Sequence, residues 1–248
     1  MRRLKKIASL LLIFTFSDCA SQKGFVFKNN PLFGWLESSS YERTINPDPI
    51  FQKSPNLIAH EFEFPAGGKL GETFYIAQKF GVENQKFGNR LHLGEDWNFI
   101  GGGDSDFGSP VYSVADGVVS CIANYGGGWG KVIRVVYKIQ NNQSTQFVEA
   151  LYAHLYTIEV EPGQMVRKGE WLGGIGDASG KYSSHLHFEL REEKNLPLGG
   201  GYSFETKGYL APTKFIINRL GLEKKMTEDQ FLYERLAPTT GLKTLNQI

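Results

Sequence analysis

The chain has 248 residues, a length that suits one substantial domain with extensions or two small ones. Its 41% hydrophobic and 21% charged content is that of an ordinary folded protein with a sizeable core. A formal net charge of +1, with no basic stripe to collect phosphates, excludes nucleic acid as an expected partner.

The first element in chain order is an export signal over residues 1–18. Arg2, Arg3, Lys5 and Lys6 precede an apolar run from Ile7 to Phe16, and small or polar residues follow. The run is shorter than the ~20 apolar residues a membrane-spanning helix needs. Two ways of processing stay open. Cys19 stands where a lipoprotein cysteine would be lipidated, giving membrane attachment, although Asp18 before it departs from that pattern; ordinary cleavage after Ser17 is the other. Removal of residues 1–18 leaves 23 basic and 25 acidic residues, a net charge of −2.

Residues 19–60 read as an irregular N-terminal extension with short strands, rich in Phe, Asn, Ser and Pro. From 61 to 192 short β-compatible runs alternate with turn signals, as in Pro110–Ala115, Asp116-Gly117, Val118–Ala123 and Lys131–Tyr137. That pattern predicts antiparallel strands in a tight, barrel-like sheet. Cys121, within one of these runs, is expected to be a buried small apolar residue. Residues 193–248 carry two predicted short helices that cover the sheet. Pro212 opens the first, with Gly221 suited to its stop, and a Thr227/Gln230 capping box opens the second.

The five histidines are the most informative residues, because four of them fall in three short strings: His92–Asp96, Tyr152–Leu155 and His185–Glu189. Imidazole is the commonest metal ligand and the usual proton shuttle near neutral pH. His185 and His187, two apart on a strand, project from one face that the pattern predicts to be exposed, while Leu186, Phe188 and Leu190 face the core. Gly94 argues for a strand-to-loop corner at His92–Asp96, and no helical His-Glu-x-x-His occurs. A catalytic zinc takes three protein ligands and an open position for water. Five candidates, His92, Asp96, His154, His185 and His187, leave two histidines over to move protons and stabilise an oxyanion.

These strings resemble peptidase family M23, the zinc metallopeptidases of lysostaphin and LytM type that hydrolyse peptidoglycan peptides. Gly108–Val119, Pro162–Gly173 and Gly176-x-x-x-Gly180 resemble the family's connecting text, so the likeness spans roughly residues 60–192. It implies a mainly β, antiparallel sheet or barrel-like sandwich with short C-terminal helices. It also implies one zinc per chain on His92, Asp96 and His187, and two catalytic histidines, His154 and His185. We expect His185 to be the general base, because its strand neighbour His187 holds the metal, and His154 to support the oxyanion or leaving group. Some relatives add a tyrosine shortly before the first histidine; here that stretch reads Gln85–Gly88. The implied place of work is the periplasm or cell envelope.

Other side chains carry plainer expectations. Glu189 shares the face of the two histidines and either orients an imidazole or forms a surface ion pair. Glu95 is expected to face solvent, His60 to be structural, and Asp104 and Asp106 to form a polar turn without an EF-hand. Trp97, Tyr125, Trp129 and Tyr182 either line a groove or pack. Two rival functions exist. A catalytically silent cell-wall-binding regulator, such as an amidase activator, typically lacks a ligand that this chain keeps. A biotinyl- or lipoyl-like carrier leaves the histidines unexplained.

Overall fold

The computed structural model describes residues 40–68, 70–141 and 144–221. The export segment, Cys19 and the second C-terminal helix lie outside the described residues. The chain first forms β1 (Tyr41–Thr44), α1 (Asp48–Lys53), β2 (Phe74–Gln78), β3 (Glu83–Asn84), β4 (Arg90–His92) and β5 (Glu95–Phe99). Then come β6 (Pro110–Tyr112), β7 (Gly117–Asn124), β8 (Lys131–Asn141), β9 (Ser144–Ile158), β10 (Met165–Val166) and β11 (Trp171–Ile175). β12 (Leu186–Arg191), β13 (Tyr202–Ser203), β14 (Tyr209–Leu210) and α2 (Pro212–Ile217) complete the described chain.

Valine- and isoleucine-rich β7 pairs with β8, and β8 with β9, because β-branched side chains suit a pleated, buried surface. The main sheet runs β1-β7-β8-β9-β12-β5-β2, and a small sheet β13-β4-β3 stands beside it. Every named pairing is antiparallel, as the alternation predicts. β1, from the predicted extension, adds an edge strand to β7. The core gathers Phe62, Phe64, Trp97, Tyr137, Tyr152, Leu186, Phe188 and Leu190, with Ile216 and Ile217 of α2 packed against it. Each such fully buried apolar side chain contributes roughly 1.5–3 kcal/mol. Pro212 opens α2 as expected, but the helix stops at Ile217, ahead of Gly221. Among the described residues, no helix is long and apolar enough to cross a membrane.

One departure from regular strand geometry matters for function. Along β9, Tyr152 and Leu155 both enter the main core, although alternation would put them on opposite faces. The parity changes because the register with β8 shifts there and His154 adopts φ 64, in the left-handed region. A bulge of this kind re-aims a side chain. Here it is His154 that is turned aside.

Candidate metal centre

Three strands converge on one point. His92 ends β4, Asp96 lies on β5, and His187 lies on β12 directly opposite Asp96 in the ladder. The corner between His92 and Asp96 reaches β12 only because residue 94 is glycine. A Cβ there would stand 2.6 Å from the Phe188 carbonyl oxygen and 3.0 Å from His187 Cε1.

The ligand-type atoms form a near-equilateral triangle. His187 Nδ1 is 2.9 Å from Asp96 Oδ1 and 3.1 Å from His92 Nε2, and His92 Nε2 is 3.3 Å from Asp96 Oδ1. Metal–ligand bonds of 2.0–2.1 Å in a tetrahedron put neighbouring ligand atoms about 3.3 Å apart, so the donor set fits a zinc-sized ion. The far nitrogens are also committed. His92 Nδ1 donates to the Lys79 carbonyl at 3.4 Å, and His187 Nε2 donates to Glu189 Oε1 at 3.1 Å. Once the inward nitrogens have lost their protons, each ring therefore offers a lone pair to the centre of the triangle.

The electrostatics follow from crowding. Burial alone would raise the Asp96 carboxyl, but hydrogen bonds from His187 and His92 outweigh it and hold the group well below the usual carboxylate range. Burial disfavours the His187 imidazolium, yet Asp96 and Glu189 on either side push its pKa up to about 9. His154 goes the other way. Burial, then the charges of His187 and His185, hold it well below its ordinary value, so it is neutral at pH 7.

His154 and His185 face each other beside the triangle, ring centroids 4.7 Å apart. His185 Nδ1 donates to the Ser183 carbonyl at 2.8 Å, so that in the neutral ring Nε2 is the accepting nitrogen, 3.8 Å from Asp96 Oδ1. His154 Nδ1 donates to the Trp129 carbonyl at 3.3 Å. The surrounding cleft of about 460 Å³ has walls that include Trp129, Tyr182, Tyr202 and the Gly200-Gly201 loop.

Several expectations need correction. His185 and His187 lie in this cleft rather than on an exposed face: His187 is 3% exposed, and His185 precedes β12 in a bridge to Gly176. Glu95 is buried, not solvent-facing, because it accepts from Trp97 Nε1 and from the Thr213 amide and hydroxyl of α2. Asp104 and Asp106 do more than form a turn. Asp104 accepts from the Ser184 amide at 2.8 Å and the buried Asp106 from its hydroxyl, which pins the residue before His185. Glu189 orients His187 in place of forming a surface pair. His60 is exposed.

Cys121 is buried, as expected. Of the four aromatics, Trp129 and Tyr182 line the cleft, whereas Trp97 is wholly in the core and Tyr125 packs near Trp129 on the β8–β9 surface. Tyr202 went unread. Its ring stands 5.1 Å from His92 and its hydroxyl donates to Gln78 at 3.1 Å. A glycine run, 199–201, precedes it in the sequence, as 126–128 precedes Trp129.

Residues 101–198 match Peptidase family M23. Over these residues the chain carries the family's domain pattern. The match takes in His154, His185 and His187, while His92 and Asp96 lie ahead of it. Among curated relatives, the chain is 33% identical over 102 residues to the DD-carboxypeptidase/endopeptidase Mpg of Neisseria meningitidis, covering 41% of this chain and 20% of that protein. It is 36% identical over 85 residues to the peptidoglycan DD-endopeptidase ShyA of Vibrio cholerae, covering 34% and 17%. It thus spans a fifth or less of the length of these curated relatives. Lysostaphin from Staphylococcus simulans aligns with a TM-score of 0.44 and 20% identity over 68% of this chain and 58% of its own.

Proposed function

We propose that this M23 chain is an exported zinc metallopeptidase that hydrolyses peptide bonds of bacterial peptidoglycan. The observation that carries the reading is the triangle of His92 Nε2, Asp96 Oδ1 and His187 Nδ1, set in a cleft beside two further histidines. The named activities of Mpg and ShyA support the substrate class. A basic, then apolar, N-terminus supports work in the periplasm or envelope, with lipidation of Cys19 as the means of membrane attachment.

One zinc, held by His92, Asp96 and His187, would supply a Lewis acid and a water acidic enough to attack near neutral pH. The chain's own groups do the rest. His185 takes the attacking water's proton on Nε2, the nitrogen left bare by the Ser183 hydrogen bond and aimed at the donor triangle. His154 faces it across the cleft, against the tetrahedral intermediate, and the proton that His185 has taken passes on to the departing amine. The strained backbone that turns it there is held by its own amide bond to Trp129. Asp104 and Asp106 keep His185 in place through Ser184.

The test is a split between binding and chemistry. His154→Ala and His185→Ala are expected to lose hydrolysis by roughly 10²–10⁴-fold while zinc stays bound. His92→Ala and Asp96→Ala are expected to lose both. Full activity in either of the first two variants would overturn the roles.

A further inference from the structure

Behind the cleft lies a chain of buried charges that the reaction itself does not use. Arg191 and Glu189 are both 0% exposed, and Glu149 is also buried. Arg191 Nε and an Nη2–H reach Glu189 Oε2 at 2.9 and 2.7 Å, while Glu189 Oε1 holds His187 Nε2. The remaining Arg191 donors point the other way, to the carbonyls of Leu196, Pro197 and Leu198 at 3.3, 3.4 and 3.1 Å. All five guanidinium N–H groups thus have acceptors. Arg134 adds a bond to the Leu196 carbonyl at 2.8 Å, and Glu149 Oε2 accepts from the Asn195 amide at 3.2 Å.

The loop held by these bonds, residues 195–201, forms part of the cleft. Gly200 and Gly201 line it, the Gly199 carbonyl accepts from Trp129 Nε1 at 3.1 Å, and the Gly201 carbonyl accepts from the Leu93 amide beside His92. One guanidinium therefore ties a histidine of the donor triangle to one wall of the groove.

We propose that Glu189 and Arg191 are positioning residues that couple the two: Glu189 fixes the ring of His187, and Arg191 fixes both Glu189 and the 195–201 wall on which the substrate chain lies. The proposal rests on the zinc-peptidase reading. Its geometric reason is that Nδ1 faces the triangle only while Nε2 has an acceptor behind it, and a buried acceptor of that kind needs a fixed counter-charge. A lysine cannot replace the arginine, since a single ammonium cannot span a carboxylate and three carbonyls.

The experiment compares Glu189→Gln and Arg191→Lys with the wild-type chain in three readouts: zinc affinity by chelator competition, the His187 Nε2–H signal by ¹⁵N NMR, and kcat against KM on a peptidoglycan fragment. Glu189→Gln is expected to lower zinc affinity roughly 10–100-fold and to shift the Nε2–H signal, in both zinc-loaded and metal-free protein. Arg191→Lys is expected to raise KM roughly tenfold and, because Glu189 loses its fixed partner, to shift the His187 Nε2–H signal as well. Wild-type zinc affinity and an unmoved signal in Glu189→Gln would overturn the first half, and an unchanged KM in Arg191→Lys the second.

If either variant fails to fold, the double variant E189Q/R191M, which removes the buried charges together, takes its place. It is expected to bind zinc as weakly as E189Q and with the raised KM of R191K. Wild-type values in the double variant would overturn the proposal. A wild-type chain without zinc affinity would sink the zinc reading, and the metal-free NMR signal would still test the orientation of His187.

Discussion

Substituting Gly94 by alanine removes no ligand and no charge, yet it should disable the metal centre. The added Cβ would lie 2.6 Å from the Phe188 carbonyl oxygen, 2.9 Å from Glu189 Cγ and 3.0 Å from His187 Cε1. Ordinary contact starts near 3.4 Å, so the corner and β12 must separate by about 0.8 Å. Gly94 does not need a left-handed backbone, and the penalty is therefore purely steric. Metal sites tolerate only ~0.2 Å of error in ligand distances. The donor triangle spans this same gap, so its edges of 2.9 and 3.1 Å from His187 must open with it.

We expect zinc affinity to fall by at least roughly tenfold. Overpacking of this kind also costs about 1–3 kcal/mol, and a chain of this size loses about 2–4 °C in Tm per kcal/mol. Chelator competition reads the first effect, and melting in EDTA the second. Gly200→Ala is the control, because nothing lies within 4 Å of its would-be Cβ. Wild-type zinc affinity and Tm in Gly94→Ala would refute the reasoning.

Three further outcomes are expected. Tyr152→Phe removes the hydroxyl that accepts from the buried Val114 amide and meets Tyr137 at 2.8 Å, so denaturant unfolding should show a loss of about 1–3 kcal/mol; a neutral result would mean the network relaxes. Glu95→Ala frees the start of α2 and should cost at least roughly 1.5–3 kcal/mol, with faster hydrogen exchange confined to α2 and its neighbours. In metal-free protein the His187 pKa stands at about 9 against an ordinary 6.5, so its charge stabilises the fold fully below 6.5 and that stabilisation is lost as pH rises through about 9. The same proton must leave for a metal to bind, so apparent zinc affinity should climb about tenfold per pH unit toward pH 9. Titrations that are flat in both measurements would contradict this.

What the sequence made legible and what it hid differ in kind. His187 and Asp96 were legible as a pair through the resemblance of their strings to family M23, and the ladder sets the two opposite each other. The core faces of Leu186, Phe188 and Leu190 followed from the strand period of two. Glu95 could not be read that way. Its burial depends on Thr213, over a hundred residues later, offering two donors to a carboxylate that composition alone assigns to solvent.

Arg191 is a similar case, since a charged residue at a strand end ordinarily lies outside. Here a carboxylate and three loop carbonyls supply every acceptor it needs in the interior. The aim of His154 was hidden for another reason. A bulge changes strand parity without any marker such as glycine, and only the shared core of Tyr152 and Leu155 reveals it.

The central claim is tested most directly by digesting purified peptidoglycan with the zinc-loaded chain and sequencing the released fragments by mass spectrometry, with and without a chelator. The account predicts new termini at peptide bonds, lost on chelation and restored by zinc. Intact peptidoglycan from a chain that carries one zinc would contradict it and favour a silent wall-binding protein.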